Sequence, residues 1–310
     1  MALALALTMG ASVATVGTPA RATAATTARY RTQPLGSAPG LVNLGLTVTV
    51  PAGTTRLVSS YLVVGGASTL TAVSHLVYCR SAGSTTVRER IVTGQNVLRA
   101  TRTTLLTRAL VTAPATSALE CRLHAIFFRL TNSRVGGTIN VLAGTSLRKL
   151  TLPIQSSAQT WQAARVLVNK SYHVATVLFT PAEGARSIQA VGDANVTVCS
   201  KGGKDRGGCS GAGSRRLASY ASVGTQFVVQ QLQDDGSICR TVVNGPLTAA
   251  RISNTIHHWK LNKSISNVAV SPSCTSRKFR SYVRVTTSSL ANSVVVEANH
   301  QSETALYVRP

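Results

Sequence analysis

The sequence predicts an all-β protein built of two tandem antiparallel β-sandwiches that disulfide bonds hold together. Three observations carry this prediction. Valine and threonine, which favour pleated surfaces, are abundant along the chain. Short apolar or alternating runs recur between turn residues, and sustained helical periodicity is scarce. Six cysteines form an even set, as expected of a disulfide framework.

The predicted strands follow one another at short, regular intervals, which favours sandwiches over a βαβ sheet. In the first half they are Leu46–Val50, Leu57–Val64, Leu70–Tyr78, Val87–Val92, Leu105–Val111, Leu123–Leu130 and Thr138–Leu142. In the second half they are Val174–Phe179, Val196–Cys199, Phe227–Leu232, Val268–Val270, Phe279–Val285 and Val294–Val296. The best helical candidate is Ser156–Val166, which also fits a linker turn.

The N-terminus predicts an export signal. Ala2–Val16 is an apolar run, and the small residues Ala20–Ala24 after it contain two overlapping A-x-A patterns. Cleavage after Ala22 or Ala24 is therefore expected, with residues 1–24 as the signal peptide. No Lys or Arg precedes the run, so the expected basic region would lie upstream of Met1; an uncleaved or lipid-anchored N-terminus is the alternative. We expect a secreted, extracellular or cell-wall-associated protein.

The net charge points to an anionic partner. The chain has 32 Lys and Arg against 9 Asp and Glu, a formal charge of +23. Such an excess favours wall polymers, nucleic acid or acidic glycans. A GC-rich coding genome would produce the same arginine excess with no function attached. The apolar run at the N-terminus is shorter than the ~20 residues of a membrane-spanning helix, and no later stretch is apolar enough to span.

A faint internal repeat predicts domain duplication. Arg129–Ser133 resembles Arg284–Ser288 at an offset of 155, and Leu110–Pro114 resembles Val268–Pro272. Upstream, Ala72-Val73 before Cys79 resembles Ala190-Val191 before Cys199. The predicted domains are residues 25–155 and 160–310, joined near Pro153–Gln162.

The repeat narrows the disulfide pairings. Cys79 and Cys121 are the only cysteines of the first half and are predicted to pair. The same repeat pairs Cys199 with Cys274, leaving Cys209–Cys239 to close an insertion around residues 200–240. The rival is Cys199–Cys239 with Cys209–Cys274. A metal or cofactor is not predicted, because no CxxC pair occurs and no Cys lies near a His at ligand spacing.

An immunoglobulin domain is comparable in architecture only. No Trp follows Cys79 in the next strand, and Leu119 stands where a tyrosine would precede Cys121 by two residues.

Two basic features are candidate anion-binding sites. The first is a glycine-rich loop, whose backbone N–H groups could form an anion nest; its cations are Lys201, Lys204, Arg206, Arg215 and Arg216. The second is one face of a strand, where alternation places Lys278, Arg280, Tyr282 and Arg284 together. A cationic stripe with an aromatic is suited to anionic polymers. The alternative interpretation is a solvated outer face.

These features predict a non-enzymatic binding or structural protein that engages anionic polymers. The alternative is a secreted hydrolase whose site would use His257, His258, Asp234 and Asp235. Adjacent histidines on a strand point to opposite faces, however, and Asp234-Asp235-Gly236 is typical of a hairpin turn. No nucleophile-elbow, phosphate-loop or zinc-protease motif occurs.

Overall fold

The computed structural model describes residues 21–23, 27–34, 37–38, 40–130, 136–150, 154–160, 164–166, 171–198, 220–243, 248–253, 258–287, 294–296 and 302–308. The regular secondary structure in these residues is strand throughout, which confirms the predicted all-β class. Across the same ranges there is no helix that is both long and apolar enough to pass through a bilayer.

The first sandwich consists of two sheets. Its strands β1 to β11 are, in order, Arg21–Thr23, Ala28–Arg31, Gln33–Pro34, Val42–Val50, Thr55–Gly65, Thr71–Ser81, Glu89–Val97, Thr103–Thr112, Leu119–Arg129, Thr138–Val141 and Ser146–Lys149. Sheet A has the order β1-β11-β5-β10-β2, and β8 pairs with β5. Sheet B has the order β3-β9-β6-β7, and β4 pairs with β9. All pairs are antiparallel except β3 with β9.

The second sandwich also consists of two sheets. Its strands β12 to β22 are, in order, Ile154–Thr160, Ala164–Val166, Ser171–Phe179, Ser187–Val198, Tyr220–Leu232, Ile238–Val243, Thr248–Ser253, His258–Ala269, Phe279–Thr287, Val294–Val296 and Ser302–Val308. Sheet C has the order β12-β22-β15-β21-β13, and β19 pairs with β15. Sheet D has the order β14-β20-β16-β17, and β18 pairs with β16.

The two sandwiches therefore repeat one topology. Sheet C reproduces the strand order of sheet A, with β15 in the place of β5 and β19 in the place of β8. Sheet D reproduces the core of sheet B, with β20 and β16 in the places of β9 and β6. Together the four sheets form the tandem sandwiches that the strand pattern predicts.

The predicted offset of 155 does not hold for β9 and β20. An odd offset would align core-facing residues of one strand with outward-facing residues of the other, because successive side chains alternate between faces. An offset of 158 keeps the faces matched, and it is also the offset between Leu110 and Val268. The core-facing residues it aligns are Cys121, Leu123 and Ala125 with Phe279, Ser281 and Val283.

Each sandwich has its own apolar core between its sheets. In the second, Phe227 is fully buried and packs against Gly192 of the facing sheet. A Cβ at residue 192 would lie 2.6 Å from the Phe227 ring, so this contact requires glycine. Burying one such phenylalanine stabilises the fold by about 2–3 kcal/mol.

Two disulfide bonds are described. Cys79 and Cys121 are bonded as predicted, and they lie directly opposite each other on β6 and β9 of the same sheet. The second bond joins Cys239 to Cys274, so the predicted pairs Cys199–Cys274 and Cys209–Cys239 are wrong, as is the rival arrangement. The error came from aligning Cys199 with Cys79. Cys199 directly follows β15, the counterpart of β5, whereas Cys79 lies in β6. Cys199 and Cys209 lie outside the described residues.

One further expectation differs from the structure. The helical candidate Ser156–Val166 contains strands β12 and β13, because pairing with β22 and β21 overrides the local pattern. In addition, Arg21–Thr23, the end of the predicted signal peptide, pairs with β11, and Ala22 packs against the first core. Cleavage after Ala24 would remove this strand from the mature chain, and the signal peptide itself stays a prediction.

The sandwiches meet where β7 and β8 lie against the outer face of sheet C. Thr93 Oγ1 donates to Asn195 Oδ1 at 2.5 Å, and Asn262 Nδ2 donates to the Leu106 carbonyl at 3.2 Å. Leu57 and Val191 form a small apolar contact beside these bonds. Hydrogen bonds between polar side chains thus fix how the two sandwiches sit against each other, and the apolar contact beside them is small.

Candidate functional site

The strand face predicted to bind anions lies on the outside of sheet D. Phe279, Ser281, Val283 and Val285 of β20 are buried on the inner side. Arg280, Tyr282 and Arg284 alternate with them and therefore share the outer face. Along the strand, about 13 Å separates Arg280 from Arg284.

The exposed ring of this face is His173, not Tyr282. Tyr282 is only 6% exposed, because the His173 ring of β14 stacks on it with centroids 3.9 Å apart and an interplanar angle of 24°. His173 pairs directly with Arg284 across the strands. The ring of Tyr282 is therefore already covered by His173, and its role in binding stays a prediction. Sequence analysis missed His173 because the predicted strand began one residue later, at Val174.

Hydrogen bonds fix one of the two arginines. Arg280 donates from Nε and Nη2 to Gln230 Oε1, at 2.9 and 2.7 Å, and Gln230 is its direct partner on β16. This bidentate contact holds the guanidinium against the sheet and limits the entropy it would lose when a ligand binds. Arg284 is half-buried, and its direct partner across the strands is Gln226, also on β16.

The outer face of sheet D is strongly positive. The five strands of the sheet contain no Asp or Glu, and Arg280 and Arg284 lie on this outer face. Arg240 instead faces the other sheet, and it donates to Gln231 and to the Ala269 carbonyl. Burial, followed by the charges of Arg284 and Arg280, lowers the pKa of His173. His173 is therefore neutral at neutral pH, and the two arginines dominate the local field.

Lys278 lies at the less favourable end of this stripe. It is exposed just before β20, and its carbonyl accepts from Leu232 N at 2.8 Å. Leu232 is two residues from Asp234 and three from Asp235, so carboxylates lie near this end and partly offset the charge of Lys278. The predicted basic loop lies outside the described residues; its cations are Lys201, Lys204, Arg206, Arg215 and Arg216.

The predicted hydrolase residues that the structure describes, Asp234, Asp235 and His258, do not come together. Asp234 and Asp235 form the turn between β16 and β17, where Asp235 Oδ1 accepts from Ser237 N at 2.8 Å. These bonds to Ser237 lower the pKa of Asp235, so the carboxylate is ionised and committed to the turn. His258 begins β19, about 36 Å along the strand from its end at Ala269.

The aspartates lie at that far end of β19. Arg240, on the strand after their turn, donates to the Ala269 carbonyl. His258 is therefore remote from Asp235, and His257 is outside the described residues. Within the ranges that the structure describes, no cluster of three or more His, Cys, Asp or Glu is arranged to hold a metal ion.

Comparison with known proteins assigns neither a family nor a function to the chain. No protein-family model and no curated protein sequence matches the chain. Similar solved structures include the tandem CBM22-1–CBM22-2 domains of Paenibacillus barcinonensis Xyn10C, with 10% identity, 92% of this chain and 93% of that chain covered, and a TM-score of 0.25. The broad bean stain virus structure has 11% identity, coverages of 96% and 92%, and a TM-score of 0.27. The structure of N-glycanase F (PNGase F) has 12% identity, with 91% of this chain and 96% of that chain covered, and a TM-score of 0.26. Likenesses this distant say nothing about function.

Proposed function

We propose that this chain is an exported, non-enzymatic protein of the cell envelope or extracellular space that binds an anionic polymer through the outer face of sheet D. The observation that carries the proposal is an outer face on which Arg280 and Arg284 project from one strand, in a sheet whose five strands contain no carboxylate. The disulfide bonds support an oxidising compartment. Export by a signal peptide and association with the cell wall are parts of the proposal.

The geometry of the face suits a chain of repeating anions. Arg280 and Arg284 project from one strand about 13 Å apart, so they can contact successive charged groups of an extended polymer. Gln230 preorients Arg280, and His173 lies opposite Arg284. No carboxylate of the sheet is available to orient His173 as a general base, which favours binding over catalysis.

The salt dependence of binding tests the proposal. A duplex DNA fragment serves as a polyanion probe, for which log K falls with log[salt] by about 0.9 per phosphate contacted. Replacing Arg280 and Arg284 by Ser is expected to weaken binding and to flatten this slope by about 2 units. Adding Lys278→Ser is expected to change it less, because Asp234 and Asp235 lie near that end.

A matched control removes equal charge elsewhere. Arg99 and Arg102 are both exposed in the turn between β7 and β8, and replacing them by Ser should leave the slope nearly unchanged. Thermal melts verify that both double variants are folded. Equal losses from the two double variants would show that only net charge matters, and that sheet D holds no site.

A further inference from the structure

We propose that the outer face of sheet B holds a second polyanion site, centred on Tyr78, which takes phosphate-bearing chains that lack bases. This inference takes its ligand class from the proposed function, but it concerns different residues on the other sandwich. None of these residues stands out in the sequence, because they come from three separate strands.

The geometry of sheet B forms a cationic row around Tyr78. Across the sheet, Tyr78 of β6 pairs with Arg90 of β7 on one side and with Arg122 of β9 on the other. Arg90 Cζ lies over the Tyr78 ring, 5.9 Å from its centroid. The ring of His124 packs against Tyr78 with centroids 5.2 Å apart. Arg80 follows two residues along β6 and faces the same way.

The repeat of the fold supports the equivalence of the two faces. The offset of 158 that matches the inner residues of β9 and β20 also aligns Arg122 with Arg280 and His124 with Tyr282. In both sandwiches, an arginine thus precedes an aromatic ring by two residues on the same strand of the topology. In both, a second ring from a neighbouring strand packs on the first, giving one His–Tyr pair on each outer face.

The charge balance of this face is positive. Arg80, Arg90 and Arg122 stand against one outward carboxylate, Glu120, which pairs with Arg122. Neither Arg80 nor Arg90 forms an ion pair with a described residue. Burial lowers the pKa of His124, against the opposing hydrogen bond to the Arg122 carbonyl, and the charges of Arg80 and Arg122 lower it further. At neutral pH the arginines therefore set the field of this face.

The state of the rings decides the class of polymer. Base stacking needs an uncovered aromatic face. Here Arg90 lies over Tyr78, and His124 is only 7% exposed and packs against the same tyrosine. The rings therefore hold the arginines in place, and recognition falls to the guanidinium groups. Charge-assisted hydrogen bonds to phosphate suit them, so a sugar- or glycerol-phosphate chain fits better than a single-stranded nucleic acid.

The stoichiometry of binding tests the inference. The full chain is titrated with a short-chain linear polyphosphate, too short to bridge two faces, and followed by calorimetry. We expect two sites per chain. The double variant Arg80→Ser/Arg90→Ser is expected to keep only the sheet D site, and Arg280→Ser/Arg284→Ser only the sheet B site. The variant with all four changes is expected to have no site. The control Arg99→Ser/Arg102→Ser keeps two, and thermal melts verify the fold of each variant.

The outcomes separate the two proposals. A single site that disappears with Arg280→Ser/Arg284→Ser and is insensitive to Arg80→Ser/Arg90→Ser overturns this inference and leaves the proposed function standing. A single site with the opposite sensitivity overturns the sheet D site instead. A second arm uses an oligothymidylate with the same number of phosphates. If it binds the Tyr78 site more than tenfold tighter than polyphosphate, bases are being read and the inferred ligand class is wrong.

Discussion

Arg108 and Asp193 join the two sandwiches through a buried ion pair. Arg108 Nε lies 3.2 and 3.1 Å from the two carboxylate oxygens, and Nη2 also donates to Asp193 and to the Lys263 carbonyl. The side chains are 11% and 2% exposed. Asn262 Nδ2 donates to the same carboxylate at 2.8 Å, and Lys260 Nζ is 4.0 Å away. One carboxylate thus lies against two cations at the junction, and the three groups together carry a net charge of +1.

Replacing Asp193 by Asn is expected to destabilise the protein by about 3–5 kcal/mol, because it removes the buried carboxylate that Arg108 and Lys260 both face. Urea unfolding measures the loss. The matched control is Glu120→Gln, which breaks the partly exposed pair with Arg122 and should cost about 1 kcal/mol or less. Similar losses from both variants would contradict the structural role of Asp193.

Acid should destabilise the protein through His75. This side chain is fully buried in the first core, where Nε2 lies 2.8 Å from Ser60 Oγ. Burial, and secondarily the charge of Lys260, lower the pKa of His75 to about 3. The unfolded chain binds this proton near pH 6.5, so stability is full above that pH and falls as the pH drops towards 3. The loss amounts to at most about 5 kcal/mol.

The variant His75→Gln isolates this contribution, because glutamine can keep a hydrogen bond to Ser60 but does not titrate. Its unfolding free energy, measured in urea at several pH values, should fall less steeply than that of the wild type between pH 6.5 and 4. Parallel pH profiles would mean that other groups cause the acid sensitivity.

Polyanion binding should raise the pKa of His173. Arg284 and Arg280 help to hold this pKa below its usual value, and a bound anion would offset their charge. By reciprocity, affinity for polyphosphate should increase as the pH falls through the His173 pKa. NMR titration of the imidazole with and without polyphosphate measures the shift. An unchanged pKa in the presence of saturating polyphosphate would place the ligand elsewhere.

Peptide mapping without reduction should recover the Cys239–Cys274 bond. Because Cys79–Cys121 is the other described bond, Cys199 and Cys209 are the remaining cysteines, and we expect them to pair. Replacing both Cys239 and Cys274 by Ser should reduce stability by about 3–4 kcal/mol, as the chain-entropy relation gives for their separation of 35 residues. A peptide linking Cys199 to Cys274 would contradict the structure.

A fragment of residues 21–150 should fold alone with a cooperative melt, because its core lies between its own two sheets. It should be less stable than the full chain, since Arg108 loses Asp193. Insolubility of the fragment alone would show that the sandwiches depend on each other to fold, and would contradict the predicted division into two domains.

Local sequence patterns predicted strands, turns and one disulfide bond, but not the contacts that define the site. The sequence predicted that Arg280 and Arg284 share a face, because side chains alternate with period two within one strand. The sequence did not predict that His173 covers Tyr282, because this contact requires β14 to pair with β20, more than 100 residues later in the chain. The wrong cysteine pairs had a similar origin: Val- and Thr-rich strands resemble one another, so β15 was aligned with β6 instead of β5.

The junction between the sandwiches has a consequence for self-association. β7 and β8 are the last strands of sheets B and A on one side, and edge strands of this kind offer unpaired backbone groups to other chains. Here the second sandwich lies against both, and Asn262 takes up the Leu106 carbonyl of β8. Charged Lys260 and Asp193 are buried at the same place. The second copy of the fold thus covers this side of the first, and we expect it to hinder strand addition at β7 and β8.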